Sequence, residues 1–216
     1  MPAQQPPLAS RSAAPRDWKR IALCLVAGTL AYNVVEAVIA LGSGVAADSV
    51  ALIGFGFDSS IETAAAGVLL WRLGLEARGA DPETLERTEQ RVHRFVGWTF
   101  LVLAAYVTVQ SAWTLWSRDA PEESTVGIVL AAVSLVVMPL VSVGKLRAAR
   151  EIGSAALRAE AKETLACSYL SLTLLVGLVA NAMAGWWWAD PAAALLMVPW
   201  VVREGVEGVR GDSCCS

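Results

Sequence analysis

The chain has a single histidine, His93, among its 216 residues. That excludes a histidine-rich loop and any metal site built on clustered imidazoles. His93 itself stands beside Arg91 and Arg94 and reads as an interfacial residue rather than a ligand. Charged residues make up only 17% of the chain, while 56% are hydrophobic and fall in long blocks, which excludes a soluble domain of this size. The four cysteines, Cys24, Cys167, Cys214 and Cys215, imply no disulfide framework. There is no glycine-rich nucleotide loop and no convincing nucleophile–base set, so an enzyme is not expected. Nothing points to a nucleic-acid partner.

What is present is apolar sequence, with a mean hydropathy of +0.52. A bilayer core of about 30 Å needs roughly 20 apolar residues per helix. Blocks of that length occur at 20–42, 49–73, 92–116, 124–144, 164–187 and 191–209. The expected fold is therefore all-α, an integral membrane bundle of six transmembrane helices. Residues 1–16 form a Pro/Ala/Ser-rich disordered tail, 17–210 the helical domain and 211–216 a short C-terminal tail. The first span is longer than a signal-peptide core and contains Glu36, so it is read as retained.

Basic residues orient the bundle. Of the 17 Lys and Arg, only Arg118 falls on one side. The others precede the first span, follow the last, or lie between spans two and three (Arg72, Arg78, Arg87, Arg91, Arg94) and four and five (Lys145, Arg147, Arg150, Arg158, Lys162). By the positive-inside rule both termini are cytoplasmic, in a multi-pass cell-membrane protein. Trp113, Trp116 and Trp186–Trp188 mark the outer interface, Trp18 and Trp71 the inner one. Helix starts are expected after Asp48-Ser49, at Pro82 after Asp81, after Glu123-Ser124, and at Pro191 with Asp190 as its N-cap. Pro139 predicts a kink in the fourth span.

Against this apolar background, the stretch GFGFDSSIE places Asp58 and Glu62 four residues apart on one helical face. Each carboxylate at a helix centre costs about 2.5–3.5 kcal/mol on insertion scales. Two like charges there repel unless a cation or a proton lies between them. The plainer reading is a pair of protonated acids that tie neighbouring helices together. Gly54 and Gly56, one turn away, would admit another helix closely.

The fifth block repeats the spacing with Glu163 and Cys167. Two carboxylates on one helix, with a carboxylate and a thiolate on its neighbour, would offer four ligands to a divalent metal. The competing reading leaves Glu163 on a solvated extension with Arg158, Glu160 and Lys162, and Cys167 as a small core residue. In the first block Asn33 and Glu36 share a face, as helix–helix hydrogen bonders, second-shell groups or a proton relay. Along straight helices, Asp58 lies about 15 Å and Glu163 about 33 Å from their outer ends. The two pairs are level only if tilt or helix length compensates.

Two stretches, SVALIGFGFDSSIE and AEAKETLACSYLSLTLLVGLVANAMAGWWWADPAAALLM, resemble the second span and the fifth-to-sixth-span region of the cation diffusion facilitator family. The resemblance implies export of a divalent transition metal in exchange for protons, with Asp58, Glu62, Glu163 and Cys167 as metal ligands. It departs from the family where Glu163 and Cys167 replace the usual His and Asp, and where Glu62 replaces the commoner Asp. No permanently bound cofactor is implied. Zn²⁺ is the expected cargo, with Fe²⁺, Co²⁺, Mn²⁺ and Cd²⁺ as alternatives. The chain ends soon after the sixth span, which implies a membrane-only form without the family's cytoplasmic C-terminal domain. A homodimer would then form through membrane helices. Two other readings remain: a non-transporting scaffold or regulator, and an intramembrane enzyme using Asp58 and Glu62 as acid and base.

Overall fold

Six helices follow one another in chain order: α1 (Trp18–Ala47), α2 (Val50–Ala77), α3 (Pro82–Ser117), α4 (Thr125–Ile152), α5 (Ala155–Ala184) and α6 (Ala189–Arg210). They come from a computed structural model that describes residues 17–77, 81–118 and 121–210, with side chains outside 72–77, 82–93, 155–156, 159 and 166. No strand occurs among the described residues. The two terminal tails, Cys214 and Cys215 included, and the side chains of His93, Arg72, Arg78, Arg87 and Arg91 lie outside that description.

The helices end where the local chemistry requires. Ser124 caps α4 by accepting from the Gly127 amide, and Ser154 caps α5 through Leu157. Gly153 and Gly185 close α4 and α5 in the left-handed region, at φ 68° and 63°. Asp48 and Arg118 take the same conformation without being glycine. As expected from Asp81-Pro82, α3 starts with proline in its first turn and continues unbroken into the apolar segment.

Two expectations need correction. The fifth span is expected to extend as helix beyond its apolar segment, and α5 does begin at Ala155. However, α4 also runs on to Ile152, so the longer loop expected before α5 is only Gly153-Ser154. The intervening sequence is dominated by Ala, Leu, Arg, Glu and Lys, all strong helix formers, and Gly153 is the break. Lys145, counted with a cytoplasmic loop, is instead wholly buried within α4. Asp190 is not the N-cap of α6, which begins one residue earlier at Ala189. Its buried carboxylate accepts from Ser49 Oγ and, at 3.4 Å, from the Ala51 amide, so it serves the N-terminus of α2.

By length and composition, α1, the Arg94–Ser117 part of α3, α4 and the Glu160–Ala184 part of α5 are apolar enough to cross a bilayer. The helices outside that set, α2 and α6, carry Asp58, Glu62, Asp190 and Glu204. The outer surface is greasy: Val38, Val45, Val102, Val109, Leu140 and Met183 are each more than two-thirds exposed. Polar side chains such as Asn33, Glu36, Ser134, Ser142 and Lys145 are buried instead. This distribution is the one lipid demands.

Small residues set the closest helix crossings. A Cβ on Gly56 would lie 2.9 Å from the Leu41 amide nitrogen, so the α1 and α2 backbones approach closely there. Gly54, expected to act likewise, faces only a Val107 methyl at 3.4 Å. On the other side of the bundle, Gly97 and Gly205 bring α3 against α6 with the same economy of volume. Thus α1 packs on α2 and α4, α4 on α5, and α3 on α6, while α2 also touches α3, α5 and α6. The acids of α2 are thereby turned towards α5 and α6.

Candidate metal pathway

The local sequence of α2 is built to carry acids without disturbing its helix. Ser60 and Thr63 donate to carbonyls one turn back, at 2.8 Å each, and so bring no unpaired hydroxyl into the bundle. Ser171 does the same for α5 by donating to the Cys167 carbonyl at 2.8 Å. Between these helices, with α3 and α6 closing the sides, lies an open pocket with a cavity volume of about 50 Å³. Asp58, Glu62, Glu163 and Cys167 all line it, together with Glu204. Helix offset therefore brings both pairs to one space despite their unequal distances from the helix ends.

The five groups are not equally deep. Asp58, Glu62 and Cys167 retain only 8%, 7% and 2% of their surface, while Glu163 and Glu204 are half-buried. Glu163 is therefore not on a solvated extension, although its neighbours Arg158 and Lys162 are exposed. Both carboxylate oxygens of Glu62 are buried without a hydrogen-bond partner among the described residues. A buried carboxylate with no hydrogen-bond donor carries a desolvation penalty that hydrogen bonding does not offset. In this conformation the groups line the wall without converging: among the described residues, no three His, Cys, Asp or Glu gather tightly enough to hold a metal ion.

Asp58 also borders a second, narrow apolar cleft of about 10 Å³, lined by Val50, Gly54, Val107, Met197 and Val201 among others. This cleft extends towards the N-terminal ends of α2 and α6. The acidic pocket extends the other way, past Glu62 and Glu204. Asp58 thus separates a carboxylate-lined space from a hydrocarbon-lined one.

The first-helix pair divides. Glu36 accepts from Ser59 of α2 at 2.8 Å and from Ser134 of α4, which is itself joined to Tyr32 at 2.7 Å. It ties three helices together, as the helix-bonding reading expects. Asn33 is fully buried, yet neither end of its amide finds a partner among the described residues.

Three polar groups escaped the sequence reading. Lys145 Nζ contacts Glu160 at 2.6 Å and donates to Thr164 at 2.9 Å, an ion pair buried between α4 and α5. Its signal was the Lys145…Glu160 separation across a Gly-Ser turn, which makes the two residues antiparallel neighbours once both flanks are helical. Glu204 was hidden in a charged helix end, where Arg203 pairs with Glu207 at 2.8 Å. Asp190 was visible as a polar residue, but its partner lies 141 residues away.

A greasy exterior, buried polar residues and an acid-lined pocket define a multi-pass membrane bundle rather than a soluble fold. The chain belongs to the cation efflux family, whose transmembrane domain it matches over residues 26–210. It is also 27% identical over 158 residues to an uncharacterized transporter from Synechocystis sp., an alignment covering 72% of this chain and 51% of that protein. The chain thus spans about half the length of that relative.

Proposed function

We propose that this protein exports a divalent transition-metal cation across the cell membrane in exchange for protons, through the pocket lined by Asp58, Glu62, Glu163 and Cys167. All six helices span the bilayer in this reading, with both termini cytoplasmic, and the activity is transport rather than catalysis. The observation that carries it is Glu62: a carboxylate more than nine-tenths buried, lining a pocket, with neither oxygen hydrogen-bonded among the described residues. Such a group is far costlier as a scaffold element than as a ligand awaiting a cation. The scaffold reading would have fixed neighbours such as Asn33 or Asn181 satisfy the acids. Asn181 instead donates to the Pro121 carbonyl at 3.0 Å, and Asn33 has no partner among the described residues.

The cycle follows from competition between protons and metal. Deprotonated carboxylates and thiol draw together around the cation in one state; protonation in the other releases it, and the neutral site returns across the membrane. Metal binding therefore weakens as pH falls. Three carboxylates favour harder ions such as Mn²⁺ or Fe²⁺, and one thiolate pulls towards Zn²⁺, Co²⁺ or Cd²⁺. Zn²⁺ is the cargo we put first.

The test is uptake of Zn²⁺, Fe²⁺, Co²⁺, Mn²⁺ and Cd²⁺ by proteoliposomes under a proton gradient, with wild type against Asp58→Ala. Uptake that needs both Asp58 and the gradient supports the antiporter and names its ion. Absence of uptake for every metal, from folded protein, moves the assignment to a scaffold.

A further inference from the structure

The pocket has two depths, and its acids divide accordingly. Asp58, Glu62 and Cys167 form the deep level, whereas Glu163 and Glu204 form a half-buried level nearer the N-terminus of α5 and the C-terminus of α6. Glu163 lines the pocket from α5 and Glu204 from α6, while Cys167, one turn deeper on α5, lines it with Asp58 and Glu62 of α2. Glu163 thus shares its depth with Glu204 rather than with the acids of α2.

We infer that Glu163 and Glu204 form a capture station for divalent cations at the mouth of the pocket, from which the ion passes inward to Asp58, Glu62 and Cys167. The inference rests on the transport reading above: Glu163 meets the ion first with Glu204, a sixth-helix carboxylate that reading did not include, and stays a ligand when the deep groups close on it. What points to a cation, rather than to a mere cluster of acids, is the deep Glu62 with its two unpartnered oxygens in the same pocket. Around it the wall contributes Val96, Phe100 and Trp200, so the field of the acids is confined by apolar surface. The cation neighbours are accounted for: Arg203 pairs with Glu207 and lies over the Trp200 ring at 5.7 Å, and Lys145 is held by Glu160. Two carboxylates flanking a narrow apolar-walled mouth attract a dication while leaving it enough water to leave again. The half-buried level suits loading and the dry level suits commitment.

The experiment has two arms on the full chain. Equilibrium binding of ⁶⁵Zn²⁺ and ⁵⁴Mn²⁺ to detergent-solubilised protein, and initial uptake rates against metal concentration in proteoliposomes, are compared for wild type, Glu204→Gln, Glu204→Asp and Asp58→Asn. A focusing charge changes capture by about tenfold or more, so Glu204→Gln should raise the half-saturating metal concentration roughly tenfold and leave the maximal rate within about twofold. Glu204→Asp, which keeps the charge, should restore most of the loss. The Glu204→Gln defect should also shrink as salt is raised, because exposed charges are screened and buried ones much less so. Unchanged half-saturation and binding in Glu204→Gln, with Asp58→Asn inactive, would overturn the capture station and leave the transport reading standing. Metal binding sensitive to Glu204→Gln without any uptake would keep the station and overturn transport. Absence of binding to wild type would overturn both.

Discussion

Glu36 and Glu62 are both glutamates buried in the same bundle, facing neighbouring helices, and the fold treats them in opposite ways. Glu36 is surrounded by hydroxyls from two other helices, while neither Glu62 oxygen has a hydrogen-bond partner among the described residues. The buried Glu160 has Lys145 at 2.6 Å, and Asp190 has Ser49 and the start of α2. Glu36, Glu160 and Asp190 thus each have a local partner that joins helices, although Glu160 Oε2 has none among the described residues. In the pocket, Glu62 has no such partner among the described residues. Buried polar groups normally have partners, so this carboxylate is the one on which the proposed transport rests.

The comparison can be broken most severely at the ion pair. Lys145→Met leaves Glu160 buried without its cation and should destabilise the protein by about 3–5 kcal/mol. Thermal unfolding in detergent will show it, and Lys145→Met/Glu160→Leu should regain most of the loss because both charges are then gone. Next comes Glu36→Leu, which removes the acceptor shared by Ser59 and Ser134 but leaves them the Phe55 carbonyl and Tyr32 as partners. It should cost about 0.5–1.5 kcal/mol per lost bond in the same measurement. An opposite sign is expected at Glu62. Glu62→Leu removes an unsatisfied acid and should leave stability unchanged or raise it by about 1 kcal/mol, while abolishing metal binding. The smallest effect is at Cys167: maleimide labelling should slow a few-fold when Zn²⁺ is present, and equal rates would remove it from the ligand set.

Much of this was legible in the sequence for a physical reason. Lipid forces apolar blocks and a lopsided distribution of basic residues, so helix number and the α2 and α5 acid spacings could be read directly. Ser124 and Pro82 sit where local capping chemistry placed them. What could not be read depends on contacts across the bundle. Lys145 looked like a loop cation because a charge near an apolar block normally ends it. Only Glu160, on the far side of a two-residue turn, makes its burial affordable. Asp190 followed by Pro191 carries the local signature of a helix start, but Ser49 and Ala51 claim its carboxylate instead. Glu204 has Glu207 three residues on, which pairs with Arg203, and its place in one pocket with Glu163 exists only once α5 and α6 pack together.

The most direct test of the contrast is metal uptake by proteoliposomes of wild type, Glu36→Gln and Glu62→Gln, measured side by side with Zn²⁺ and a proton gradient. Glutamine keeps shape and some hydrogen bonding at both positions but removes the charge. The account predicts that Glu36→Gln transports at a rate within about threefold of wild type, while Glu62→Gln is reduced by about a hundredfold or more, the scale set by losing a directly acting charged group. Equal rates in the two variants would contradict it, because the orphan carboxylate would then be no more functional than the satisfied one.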